Sequence, residues 1–120
     1  MTTFEQDLGT LGEGFAAAHL DRMGMVIVAR NWSCREGELD IVAMEGADLV
    51  VVEVKTRSSR AMGGPLEQIP PVKVRRLRRL AALWMAESKL IVREVRVDAI
   101  GVTLDRRGRP AIEHLAGIGW

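Results

Sequence analysis

The chain has 120 residues, 48% of them hydrophobic and 28% charged, which suits one soluble domain with a real core and leaves no room for two. A net charge of +1 says nothing about partners by itself, but its distribution does, because residues 73–79 form a dense basic block while the acids are scattered. One cysteine, Cys34, and two histidines, His19 and His114, exclude a disulfide framework and the usual Cys/His zinc clusters.

No apolar run approaches the roughly 20 residues that a membrane span needs. The opening MTTFEQDLGT is polar and acidic rather than signal-like. The expected location is the cytoplasm, where Cys34 stays reduced and no membrane is a partner.

Residues 4–23 predict a helix with Leu8, Leu11, Phe15, Ala18 and Leu20 or Met23 along one stripe. Gly9, Gly12 and Gly14 interrupt it, each at a cost of about 1 kcal/mol relative to alanine, so they predict either close backbone packing or a later helix start. Glu13 stands between two of them. A solvated helix residue is the plain reading, but a carboxylate flanked by residues without side chains can approach a sheet closely. Gly24 ends the helix. Residues 25–32, MVIVARNW, predict a strand, and a polar link leads on to Glu36.

Residues 37–55, GELDIVAMEGADLVVVEVK, alternate like two strands around a turn. With Gly46 first in a two-residue type II′ turn, Glu45 faces Asp48, Val42 faces Val51, Asp40 faces Glu53 and Glu38 faces Lys55. The reverse face carries Leu39, Ile41 and Ala43 against Val50, Val52 and Val54, is wholly apolar, and must pack on a core. Directly opposed side chains have Cβ atoms about 5 Å apart, where like charges repel, so Asp40 and Glu53 demand a cation or a shared proton. Hard carboxylate oxygens suit Mg²⁺ or Mn²⁺. With Lys55 two residues beyond Glu53, these groups are the minimum set for metal-dependent phosphodiester hydrolysis. The plain alternative is a surface ion pair between Glu38 and Lys55, worth about 0 to 1 kcal/mol, with Asp40 and Glu53 solvated. The convergence of register, apolar reverse face and clustered charge favours a site.

After Lys55 comes TRSSRAMGGPLEQIPP, a long loop leaving the charged end of the hairpin. Thr56, Arg57, Ser58 and Ser59 could bind phosphate there through guanidinium and hydroxyl donors, the equal alternative for each being a solvated mobile loop. Pro70 and Pro71 suit the start of a helix that runs to about Ser88, with Val74, Leu77, Leu80, Ala81 and Leu83 or Trp84 on its apolar stripe. Lys73, Arg75, Arg76, Arg78 and Arg79 crowd its first half. Basic charge near a helix N-terminus opposes the macrodipole, a local cost that an anionic partner would offset, which favours phosphate binding over a merely solvated face. The scarcity of aromatic residues argues against a base-stacking platform. Residues 91–104 predict a strand in which Asp98 reads as an ion-pair partner before a ligand. Residues 105–109 form a turn and 110–115 a last strand at an edge, and Trp120 in the tail is expected to pack on the domain or a partner. This order predicts an α/β fold, a mixed central sheet of about five strands flanked by helices.

In sequence order, GEGFAAAHL, RNWSCREGELDIVA, VVVEVKTRSS, GGPLEQ and KVRRLRRLAALW resemble the bacterial YraN-like uncharacterised protein family nearly end to end. That family is similar in turn to the PD-(D/E)XK nuclease superfamily, above all to archaeal Holliday junction resolvases. The resemblance implies an α/β/α, restriction endonuclease-like core and a Mg- or Mn-dependent endonuclease acting on branched or structured DNA. A non-catalytic nucleic-acid-binding module on the same fold is the alternative. It places Asp40 at the motif aspartate, Glu53 at the second acid, Lys55 at the motif lysine and Glu13 at the acid of the first helix, with Asp40, Glu53 and Glu13 on the metal. Arg57, Ser58, Lys73, Arg75, Arg76 and Arg79 would then hold nucleic acid. Glu38 is a further candidate, as a support for Lys55 or a member of the metal shell, and Gln68 another, where related resolvases carry a glutamine. A homodimer fits symmetric cutting of two strands. The sequence departs from the pattern in having Leu39 rather than proline before Asp40, and in the stiff Pro70–Pro71 start of its basic helix.

Overall fold

The computed structural model describes residues 4–58 and 69–119. Helix α1 (Phe4–Arg22) is followed by β1 (Val26–Cys34), β2 (Gly37–Glu45), β3 (Asp48–Ser58), α2 (Pro71–Ser88), β4 (Val95–Leu104) and β5 (Pro110–Leu115). The strands form one sheet in chain order. β3 and β4 are parallel, joined by a connection that contains α2, and the other neighbours are antiparallel. The predicted mixed five-stranded α/β sheet is therefore the observed one. No helix among the described residues is long and apolar enough to cross a membrane.

The run Leu49, Val50, Val51, Val52 is buried on both sides of the sheet, as a strand between two helical layers requires. On one face Ile41, Ala43, Val50, Val52, Ile100 and Val102 pack with Ala16, Ala17 and Leu20 of α1. On the other, Leu39, Val42, Leu49, Val51 and Val97 pack with Leu77, Leu80, Ala81 and Trp84 of α2. Each fully buried valine or leucine contributes about 1.5–3 kcal/mol relative to exposure, so both helices are held by the centre of the sheet.

Four local expectations change. Of the α1 stripe, Leu20 is buried and Leu8 and Phe15 pack against the core as expected, but Leu11 and Met23 are 55% and 51% exposed, Ala18 is exposed, and Gly12, Ala16 and Ala17 complete the buried side. The reason is close approach: a Cβ at Gly12 would stand 1.8 Å from Thr56 Oγ1, so only glycine lets the helix backbone sit this near β3. β1 runs on to Cys34, and its link to β2 shrinks to Arg35 and Glu36. β4 starts at Val95 rather than at residue 91, and Ile91 is 95% exposed. Leu39 faces α2, not the α1 side of Ile41 and Ala43. The neighbouring β1 is irregular on this side of the sheet: its register on β2 shifts between Ile27 and Ala29, and Asn31 carries a φ of 52°, a left-handed conformation uncommon for a residue with a side chain.

Asp98, fully buried in β4, is the ion-pair partner its sequence context predicts. Arg96 Nε and Nη2 donate to it at 2.8 and 3.1 Å, and the Gly117 N–H donates at 3.0 Å. His114 Nε2 lies 2.8 Å from the same carboxylate, and His114 Nδ1 lies 3.0 Å from His19 Nε2, tying β5 to α1. The tail follows the sheet as far as Ile118, whose N–H donates to Val97 O; Trp120 lies outside the described residues.

Candidate functional site

The β2–β3 hairpin has the register its alternation predicts, from Glu45↔Asp48 at the turn through Val42↔Val51 to Ile41↔Val52. Gly46 carries the positive φ of 61° that this turn needs. Past Ile41↔Val52 the two strands leave each other. β3 stays with β4 to Ser58↔Leu104, and β2 stays with β1 to Cys34↔Gly37. At the point of parting, the Val54 N–H donates to Asp40 Oδ2 at 2.8 Å. Asp40 and Glu53 are thus not a ladder pair, as the hairpin pattern predicts, but neighbours across the mouth of a split.

The split opens toward α2. Asp40, Glu53, Glu38 and Gly37 line a cleft of about 240 Å³ together with Lys73, Arg76, Leu77 and Leu80. Glu53 is only 9% exposed, and its Oε2 meets the Lys73 ammonium at 2.5 Å. Burial pushes the Asp40 carboxyl up to about 7, and the negative charges of Glu53 and Glu13 reinforce this against the single Val54 N–H. Such a group sits between two protonation states near neutral pH and responds strongly to an added cation.

Glu13 approaches from α1 and is fixed by Asn31, whose amide nitrogen lies 3.2 and 3.0 Å from its two carboxylate oxygens. Burial raises its carboxyl, Asn31 and Arg30 oppose that, and the charge of Glu38 adds to it. The left-handed Asn31 of β1 thus holds the helix acid.

Among the described residues no three acid, histidine or cysteine side chains converge on one ion position. Glu13 is accordingly not in one shell with Asp40 and Glu53, although its charge reaches Asp40. The remaining pair still fits a hard divalent ion, because Mg²⁺ commonly takes one or two carboxylates, keeps several waters and accepts phosphate oxygens as further ligands.

The other candidates separate into two groups. Lys55 is exposed at the strand end; it does not line the cleft, and no ion pair with Glu38 is found among the described residues. Glu38 faces Ser33 of β1 in the ladder. Arg57 and Ser58 are half-buried beside Thr103 and Leu104, and at about 3.3 Å per residue Arg57 lies roughly 13 Å along the strand from Glu53. Ser59 and Gln68 lie outside the described residues. Arg75, Arg76 and Arg79 line a second cleft of about 290 Å³ with Glu36, Val72 and Leu80. There Arg79 Nε and Nη2 reach the two oxygens of Glu36 at 2.5 and 3.1 Å. Arg76 borders both clefts.

Lys73 is the residue whose place the sequence conceals. Its charge reads as one of a basic row, and only the position of α2 over the split brings it, rather than Lys55, onto Glu53.

Over residues 12–102 the sequence matches the Uncharacterised protein family UPF0102. A UPF0102 protein of Nocardioides sp. is 48% identical over 115 residues, covering 96% of this chain and 93% of its own. One from Beutenbergia cavernae is 50% identical over 112 residues, 93% and 95% of the two chains. One from Mycobacterium avium is 51% identical over 114 residues, 93% and 89%.

Proposed function

The chain belongs to the uncharacterised protein family UPF0102, the YraN-like family its segments resemble, and from the site it displays we propose a Mg²⁺- or Mn²⁺-dependent endonuclease that hydrolyses phosphodiesters in branched or otherwise structured DNA. The observation that carries this is the pair Asp40 and Glu53, set side by side at a break in the sheet under a basic helix. Asp40 and Glu53 would hold the ion. When bound, it would supply an acidified water and offset the charge that develops on the phosphate.

The protein's own groups do the rest. Arg76 stands between the acidic and basic clefts, so a backbone crossing it passes from Arg75 and Arg79 to the carboxylates. Guanidinium forks match phosphate oxygens in pairs. Lys55, two residues past Glu53 but outside the cleft lining, would orient the attacking water only with substrate lying across the cleft mouth. Arg57 and Ser58 extend the phosphate track along the strand, and Glu13 acts through its field at Asp40.

Cleavage of a labelled panel of junctions, flaps and duplexes with Mn²⁺ tests the reading. Asp40→Asn is expected to lower cleavage at least about 100-fold, ~2.7 kcal/mol of barrier, while retaining DNA. Wild-type cleavage by that variant sinks the assignment. A non-catalytic binding module is the second reading, favoured by the Lys73 ammonium already in place on Glu53. It predicts salt-sensitive binding and no product with any divalent ion.

A further inference from the structure

We propose that Lys73 is a tethered counter-ion, resting on Glu53 until a phosphate draws it away, so that divalent ion and nucleic-acid backbone load the cleft as a unit. The inference rests on the metal-dependent reading above. Glu53 is nearly sealed, 9% exposed, and lies beside a second carboxylate, so its charge calls for a partner. Lys73 is that partner, 2.5 Å away on a side chain that is itself 39% exposed. A lysine suits the task, being a compact charge on a flexible stem that can leave without disturbing the helix.

What the ammonium would meet on leaving decides the coupling. A divalent ion taking Glu53 displaces Lys73 into the first turn of α2, where there is no acidic residue. The positive end of the helix dipole and the neighbouring Arg76 both disfavour it there. Without a phosphate, the ion therefore binds against repulsion. With a phosphate on the Arg75–Arg76–Arg79 side, the displaced ammonium gains a partner, and the ion gains Glu53. Such linkage is reciprocal, so each ligand tightens the other. Lys55 cannot play this part, since it is exposed and does not line the cleft.

Calorimetric titration of Mn²⁺ into wild type, Lys73→Met, Lys73→Gln and Asp40→Asn decides the matter, each alone and saturated with a short DNA duplex, with folding checked by thermal unfolding. Wild type should bind Mn²⁺ about tenfold more tightly when DNA is present, within the usual range of coupling between sites. Both Lys73 variants should bind Mn²⁺ more tightly than wild type without DNA and gain little on its addition. Unchanged or weaker Mn²⁺ binding in both, with binding still lost in Asp40→Asn, overturns the role of Lys73 and leaves the metal site standing. Absence of Mn²⁺ binding in wild type under either condition removes the metal reading and this inference together. Should both variants unfold, the wild-type titrations decide alone, and a Mn²⁺ affinity indifferent to DNA overturns the proposal.

Discussion

Asp98 and Asp40 lie in the same sheet and meet opposite environments. Burial pushes the Asp98 carboxyl up, but the Arg96 guanidinium, the Gly117 N–H and His114 outweigh it and hold the group below the usual carboxylate range. Asp40 has one N–H and two acidic neighbours, and it is pushed the other way. A buried carboxylate with its partners supplied is architecture. One left short of them in a cleft, with its carboxyl pushed up, is what the proposed metal reading draws on.

The largest effect that tests this contrast is on stability at the satisfied end. Asp98→Ala leaves the half-buried Arg96 guanidinium with Glu45 as its remaining carboxylate partner and takes the anchor from His114. A loss of about 3–5 kcal/mol in urea unfolding is expected. A loss under about 1 kcal/mol, the range of a surface pair, would make the network ornamental.

At the unsatisfied end the sign reverses. The Asp40 carboxyl rises from 3.8 to about 7 on folding, so between those values the native state holds a proton that the unfolded chain has released. Metal-free protein therefore loses stability as pH climbs from about 4 through 7. Asp40→Asn should be more stable than wild type at pH 8, by about 2 kcal/mol once partial solvation is allowed for, and no more stable near pH 4. Thermal unfolding at the two pH values checks it, and a uniform gain or any loss at pH 8 counts against the burial argument.

The smallest effect lies between the two histidines. Burial, His114 and Arg22 all pull the His19 imidazole below 6.5, so the unfolded chain takes up its proton first and stability falls as pH drops below that value. His19→Asn should flatten this acid limb by roughly 0.5 kcal/mol, the exposed part of the ring being screened. An unchanged limb would move the acid sensitivity elsewhere.

How much the residues disclose in advance depends on how local the causes are. Period-two alternation and a glycine at the turn fix the hairpin register within a few residues, and Ile41↔Val52 and Val42↔Val51 are as that pattern requires. Past Ile41↔Val52, β3 stays on its parallel partner β4 and β2 on β1, pairings made outside the hairpin, and the alternating pattern runs through the parting unmarked. The face of α1 is read only in part: Leu8, Phe15 and Leu20 pack on the core, but hydrophobic periodicity also favours Leu11 and Met23, where Ala16, Ala17 and Gly12 win by allowing approach. Lys73 on Glu53, and His19 on His114 at a separation of 95 residues, are products of assembly that no window of sequence contains.

The Val54 amide hydrogen is donated to the side-chain carboxylate of Asp40 on β2. Its resonance should therefore shift with whatever changes the charge on that carboxylate, whether proton, ion or substrate, while amides one pair away in the regular ladder stay still. The sheet carries a built-in spectroscopic gauge, one backbone proton wide, at the mouth of its split.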